Sequence, residues 1–278
     1  MPNADPSEQT GTARNRPPVF NQIDHHYGPQ VHILNDPYSL TLLASLSHRE
    51  TTQPAINRLI EKLYEVLFHT AVAEHLPLTL AQVETRLVET NPEAVWQGPV
   101  AAPETKAVVV ALARAGVKPA NFFYECLNEI LTPSGVRQDY FMINRVTDDE
   151  GAVTGAAISG CKVGGPVEDA VVLIPDPMGA TGSSVLEVLR HYARKVEGKP
   201  KRVVLFHLVV TPEYLRNVLR DYPEAHIVSL RLDRGLSPEA VLREKPGRRW
   251  DEERGLNDSH YIVPGIGGLG EMMNNSWI

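Results

Sequence analysis

The chain is short of cysteine. Its 278 residues carry two, Cys126 and Cys161, with no CxxC pair and no histidine cluster nearby. That count excludes a disulfide scaffold and leaves a structural zinc site without ligands, so the thiols read as the reduced pair of a cytoplasmic protein. Long apolar runs are missing as well, and nothing approaches the ~18–20 residues that cross a bilayer. The opening stretch MPNADPSEQTGTARNRPP has no apolar centre, so it reads as a disordered tail over residues 1–18 rather than a signal peptide. Positive charge is in deficit: 27 Lys and Arg face 34 Asp and Glu, a net charge of −7. This balance argues against a nucleic-acid surface while leaving room for a local basic pocket. No internal repeat points to a solenoid.

What is present is ordinary globular composition, 42% hydrophobic and 22% charged, enough for one domain over residues 19–278. Residues 51–77 carry apolar side chains at Ile56, Leu59, Ile60, Leu63, Val66 and Leu67. The spacing predicts a helix behind a Thr52 cap and an early Pro54, covering a sheet or a partner subunit. AVVVALA at 107–113 neither alternates nor reaches helical length, and reads as a strand buried on both faces. A turn at Arg114-Ala115-Gly116 and a helix through 122–130 follow. Residues 139–146 and 156–163 flank an acidic turn and suit a hairpin flap standing off the main sheet. Beyond it, strands at 171–174, 202–210 and 226–232 alternate with helices at 183–195 and 212–220. That alternation predicts right-handed βαβ units, hence an α/β fold with a parallel sheet flanked by helices. A charged insertion at about 234–256 reads as a surface loop with one short helix, in which Arg248, Arg249 and Trp250 form a contact patch or, by default, part of a solvated loop. His25 and His26 lack a third ligand at metal spacing and read as surface histidines.

The most informative stretch is VVLIPDPMGATGSSV, where a buried strand ends in Asp176 and small residues lead into a helix. A helix N-terminus offers unpaired amides and the positive end of its dipole. Glycines let an anion approach, and Thr181, Ser183 and Ser184 add hydroxyls. Asp176 suits sugar hydroxyls better than a phosphate, which it would repel. Together they describe a ribose-phosphate site, with a simple capped turn as the alternative. No lysine lies between Asp176 and Arg190, so this is not a Walker A loop. The late GIGGLG spells GxGxxG, but eight residues after Gly270 cannot build a βαβ unit.

With those residues in view, the sequence resembles the uracil phosphoribosyltransferases, which are type I phosphoribosyltransferases. DPMGATGSS at 176–184 is similar to the family's DPMLATGGS, and YIVPGIGGLGEM at 261–272 to its YIVPGLGDAGDR. LARAG at 112–116 resembles LRAG, Arg145 stands before an acidic flap as in the family, and DPYSLTLLASLSHRETT resembles its N-terminal helical segment. The resemblance implies the type I phosphoribosyltransferase fold with a β-hairpin flap and a C-terminal base-binding segment. It implies transfer of phosphoribosyl from phosphoribosyl pyrophosphate to N1 of uracil, giving UMP and pyrophosphate, with Mg2+ carried by the pyrophosphate and no direct metal ligand.

By the same resemblance, Ala180, Thr181, Gly182, Ser183 and Ser184 hold the 5′-phosphate, Pro177, Met178 and Gly179 belong to the same phosphoribosyl pyrophosphate-binding loop, and Asp176 meets the ribose hydroxyls. Arg114, Ala115 and Gly116 receive pyrophosphate, and Arg145 closes over it. Tyr261, Ile262, Gly267, Gly268 and Leu269 read uracil. A homodimer or homotetramer, with the long N-terminal helix suited to the interface, and GTP as a candidate effector also follow from it. The chain departs from the family at Gly268, where an aspartate stands, at Glu271 for a later aspartate, at Gly179 for Leu and at Ser183 for Gly. Gly268 and the insertion keep a second reading open: a homologue of altered specificity, or one that binds nucleotide or a protein partner without turnover. RNA-binding regulation is disfavoured by the acidic balance.

Overall fold

The computed structural model describes residues 20–147 and 153–276, so the tail expected at 1–18 lies outside the described residues. A short strand β1 (Val31–Ile33) precedes helix α1 (Pro37–Ser47), whose start is fixed by Asp36. The Asp36 carboxylate accepts the Ser39 amide at 2.8 Å, and Pro37 sits in the first turn, where no N–H is needed. Helix α2 (Ala55–Thr70) buries Ile56, Ile60, Leu63, Tyr64 and Leu67. It differs from the expected start. Pro54, not Thr52, stands at the cap, with no side-chain cap bond, and the residues after Thr70 widen into a π turn, Ala71–His75. The segment before Pro54 is engaged elsewhere: the Gln53 amide donates to the carbonyls of Met272 and Met273 at 3.0 and 3.2 Å.

Strands β2 (Leu78–Glu84) and β3 (Val95–Ala101) pair antiparallel in a sheet of their own. Next, β4 (Ala107–Ala113) is buried at every position but its last, between parallel neighbours on both sides. This explains its unbroken apolar run, and each Val or Leu fully buried there contributes about 1.5–3 kcal/mol. Helix α3 (Val117–Ile130) begins five residues before its expected start, directly from the Gly116 turn, where the Gly116 amide donates to Leu112 O at 2.9 Å.

The hairpin β5 (Val136–Thr147) and β6 (Val153–Lys162) does not stand off the sheet as a whole. Along Val136 to Met142, β5 pairs parallel with β4, so the lower half of the expected flap is an ordinary part of the main sheet. Beyond Met142, β5 pairs with β6 alone, Ile143 and Ile158 still pack against the core, and the turn at 148–152 lies outside the described residues.

The remainder follows the expected alternation: β7 (Val171–Pro175), a two-residue strand β8 (Met178–Gly179), α4 (Ser183–Lys195), β9 (Arg202–Val210), α5 (Pro212–Asp221) and β10 (His226–Leu232). Short helices α6 (Glu239–Leu242) and α7 (Leu269–Met272) close the chain. Among the described residues the main sheet runs β1-β10-β9-β7-β4-β5-β6, with β8 beside β9. All its pairs are parallel except β5–β6. Strand alternation divides the core. Val109, Leu173 and Phe206 face a layer with α1, α2 and α3, while Val110, Val172 and Leu205 face one with α4 and α5.

The charged insertion carries the expected short helix, α6, and the rest is folded rather than a solvated loop, because its charges pair with one another. Arg234 donates to Glu253 at 2.8 Å with the Glu253 side chain fully buried, and Tyr27 donates to the same carboxylate. Trp250 is not an open contact patch: its indole N–H donates to Pro212 O at 2.9 Å, and its ring packs edge-on against Tyr27 at 4.9 Å. His25 is half-buried and bonded to Val31 O at 3.0 Å, while His26 is exposed. Among the described residues no helix is long and apolar enough to cross a membrane.

Candidate active site

Parallel strands β4 and β7 deliver Arg114 and Asp176 to the same end of the sheet, where such folds place their ligands. Between these turns and the C-terminal segment lies a cleft of about 640 Å³. Of the residues anticipated for a site, Arg114, Ala115, Asp176, Met178, Ala180, Ser184, Tyr261, Ile262, Gly267, Gly268 and Leu269 line it. Thr181, Gly182 and Ser183 line an adjoining pocket of about 160 Å³ that shares Asp176, Ala180 and Ser184 with the cleft.

Apart from Arg145, three of the anticipated residues line neither space. Gly116 sits behind the cleft in its turn, and Pro177 is buried with its carbonyl accepting the Leu208 amide at 3.0 Å. Gly179 is pressed against the core: a Cβ there would lie 2.8 Å from Val210 and 3.3 Å from the Tyr214 ring. A larger residue at 179 therefore has no room in this chain. Arg145 lies on β5 opposite Ala156, and its side chain is outside the described residues.

The loop from Asp176 into α4 is held from below. The carbonyls of Gly179, Ala180 and Thr181 accept, respectively, the Thr211 amide at 3.0 Å, the Thr211 hydroxyl at 2.7 Å and the Asn217 amide group at 3.0 Å. Gly182 takes φ +85°, a left-handed conformation that glycine adopts freely, and launches α4. Gly182 offers no side-chain cap; the Ser183 amide donates to the Thr181 hydroxyl at 3.3 Å, and Ser184 and Val185 of the first turn line the adjoining pocket together with the paired hydroxyls of Thr181 and Ser183 at 2.9 Å. That is an anion cradle of backbone dipoles and hydroxyls.

Asp176 is fixed by a polar layer that sequence reasoning missed. His207 is fully buried on β9, and its Nδ1 lies 2.6 Å from Asp176 O. A carbonyl can only accept, so Nδ1 carries the proton and Nε2 accepts from the Tyr214 hydroxyl at 2.6 Å. Burial lowers the His207 imidazole to about 4, in keeping with that neutral ring. Burial pushes the Asp176 carboxyl up to about 7. The available signal was one histidine inside an otherwise apolar strand, RVVLFHLVV.

Across the cleft, the C-terminal segment is clamped. Asp233 is buried at the end of β10, ion-paired with Arg231 at 2.5 Å, and accepts the Gly265 amide at 2.8 Å. Arg231 donates to Gly265 O at 3.0 Å, so one residue of the loop is gripped at both backbone groups. The Asn257 side chain accepts the amides of Ser259 and Tyr261 at 3.1 and 2.9 Å, shaping the turn that brings His260 to the cleft. Arg114 donates to Glu271 Oε1 at 3.2 Å and to the Ser276 hydroxyl at 2.9 Å. His260, Glu271 and Met142 to Asn144 of β5 also line the cleft without having been singled out for it. Among the described residues no group of three or more His, Cys, Asp and Glu converges as a metal cage.

The comparisons with known proteins agree with this architecture. The family model for uracil phosphoribosyltransferase matches residues 33–247. Uracil phosphoribosyltransferase of Thermococcus sibiricus is 24% identical over 85% of this chain and 86% of its own length. That of Pyrococcus furiosus is 23% identical over 89% and 90%, and that of Rhizobium meliloti 26% over 87% and 97%. Among solved structures, the AQ2163 protein from Aquifex aeolicus covers 88% of this chain and 97% of its own at 20% identity, with a TM-score of 0.64, a likeness of fold. A family model that spans most of the chain, on a parallel sheet with the cradle and the C-terminal segment at its carboxyl edge, places this protein in the uracil phosphoribosyltransferase family, with the type I phosphoribosyltransferase fold.

Proposed function

We propose that the chain transfers a phosphoribosyl group from phosphoribosyl pyrophosphate to N1 of uracil, forming UMP and diphosphate. The observation that carries this reading is convergence: the Asp176 cradle, the Arg114 turn and the Tyr261–Leu269 stretch, distant in sequence, surround one cleft. In this reading the C1–oxygen bond breaks with its electron pair leaving on diphosphate, the N1–C1 bond forms, and the N1 proton is released. Positive charge builds on the ribose and negative charge on the leaving group, so preorganised opposite charges on each side lower the barrier.

The α4 amides and the hydroxyls of Thr181, Ser183 and Ser184 would hold the 5′-phosphate, with Asp176 accepting ribose hydroxyls. Arg114 would receive diphosphate. Magnesium enters with that diphosphate as part of the substrate, and the cleft carboxylates Asp176 and Glu271 are of a chemistry suited to its outer waters. The exposed backbone around Ile262 and Gly267 to Leu269 would match the carbonyls and N–H of a pyrimidine edge, which needs few side chains. Incubating the protein with uracil, phosphoribosyl pyrophosphate and magnesium should yield UMP on chromatography. Absence of UMP, with turnover of another base, would shift the reading to a different acceptor.

A further inference from the structure

Gly268 removes a side chain from the middle of the C-terminal segment, and the structure shows what occupies the space. A Cβ built on Gly268 would lie 2.8 Å from Glu271 Oε2 and 3.6 Å from its Cδ. The Glu271 carboxylate therefore fills the place of a residue-268 side chain, one turn later in the chain. Its seat is fixed. Helix α7 starts at Leu269, which is buried, and the carbonyls that follow, of Met272 and Met273, are held by Gln53 and, for Met273, Asn57 at 3.0–3.2 Å. Gly268 and Glu271 both line the cleft, as does Asp176.

The partner of this carboxylate is Arg114, which alone among the described lining residues of the cleft is an arginine or lysine. Both side chains are about two-fifths exposed, 41% and 40%, so water competes for the pair and it is weak. A multiply charged anion that binds the guanidinium in two places takes it from a single carboxylate.

We infer that Gly268 and Glu271 form one unit. The bare backbone at 268 seats the Glu271 carboxylate as the second acid of the cleft, and Glu271 holds Arg114 until diphosphate exchanges for it. This inference rests on the phosphoribosyl-transfer reading for its substrate. Once released, the Glu271 carboxylate stands on the C-terminal side of the cleft, with Asp176 supplying the other negative charge, where a ribosyl cation would gain from both. On this account Gly268 is no lesion, because the acid comes from residue 271.

The test compares the full-length wild type with E271A, G268D and the double variant G268D/E271A. Two readouts are used: calorimetric binding of magnesium diphosphate, and UMP formation resolved into kcat and KM. E271A should bind magnesium diphosphate several-fold more tightly, since Arg114 loses its internal competitor, yet turn over roughly tenfold or more slowly at saturation. G268D should also slow turnover, because a second carboxylate at 268 repels Glu271 and displaces it from beside Arg114. Adding E271A to G268D should bring the rate back above that of either single variant. Unchanged diphosphate affinity in E271A, unchanged kcat, or a double variant no faster than E271A overturns the inference. A wild type that makes no UMP while E271A still binds diphosphate more tightly overturns the choice of reaction instead, and supports the Arg114–Glu271 exchange.

Discussion

Asp176 illustrates how one residue can be placed at a cost to its own ionisation. It follows a fully buried strand, and desolvation raises its carboxyl from an ordinary 3.8 to about 7. On the proposed reading Asp176 accepts a ribose hydroxyl as the carboxylate, so kcat/KM in the free enzyme should rise with pH with a midpoint near 7. Asp176→Asn should flatten that limb and lower kcat/KM by roughly ten- to a hundredfold. The linkage has the opposite sign for stability. A raised acid favours the folded state most below its unfolded value and loses that benefit as pH rises through about 7, so competence and stability trade against each other here.

The histidines at the β1 edge behave in the contrary way. His32, His75 and His226 lie 5.1–6.0 Å apart, centroid to centroid. Burial, then the neighbouring imidazoles and Arg202, holds His75 well below the ordinary 6.5, and burial brings His32 to about 4. Both are neutral in the fold, so their contribution is whole above about 6.5 and is lost as pH falls toward 4. At pH 5 each such ring should cost about 2 kcal/mol in urea unfolding relative to pH 7.5. His75→Phe, beside Phe206, should shrink that acid loss, and an unchanged pH dependence would contradict the assignment.

At the scale of elements, the clamp on the C-terminal segment gives the clearest expectation. Asp233→Asn leaves a half-buried Arg231 without its counter-charge and should lower stability by about 2–4 kcal/mol. Because the clamp grips Gly265 and not the Asp176 cradle, KM for uracil should rise more than KM for the phosphoribosyl donor. Equal changes would mean that the segment does not read the base. Neither partner was legible as a clamp, since Arg231 and Asp233 look in sequence like the charged end of a strand.

What could be read was what burial writes into the pattern. Strands β4, β7 and β9 are apolar runs because neighbours cover both faces, and the bounds of α4 follow from Gly182 and from apolar positions at 185, 188, 189 and 192. The loop at 176–184 and the segment at 261–272 were legible because close backbone approach demands glycine in a fixed order. The rest depended on distant partners. The folded insertion becomes explicable only when Arg234 meets Glu253 nineteen residues on, and the seat of Glu271 only when Gly268 is seen beneath it. Strand β1 is three residues long and carries His32, too short to write a period.

For the whole molecule, the question is what supports the β2–β3 hairpin. It is a two-stranded sheet apart from the main one, and an isolated hairpin is marginal in water. Yet it presents Leu80, Val83 and Trp96 to solvent, at 59%, 51% and 47% exposure. Val83 and Trp96 pair on one face of the hairpin with Leu80 on the other, and we propose that a second copy of the chain covers this apolar surface. Helix α2, the interface anticipated from its sequence, has its apolar face spent on the core beneath it, which leaves the arm as the better candidate. Sedimentation velocity at micromolar concentration should therefore report a species heavier than the 30.7 kDa chain. Replacing Leu80 and Trp96 by Glu and Gln should shift the protein toward monomer while the main sheet, to which β2 and β3 do not belong, keeps its melting transition. A wild type that sediments as a monomer, or a double variant with unchanged mass, would assign the arm to some other partner.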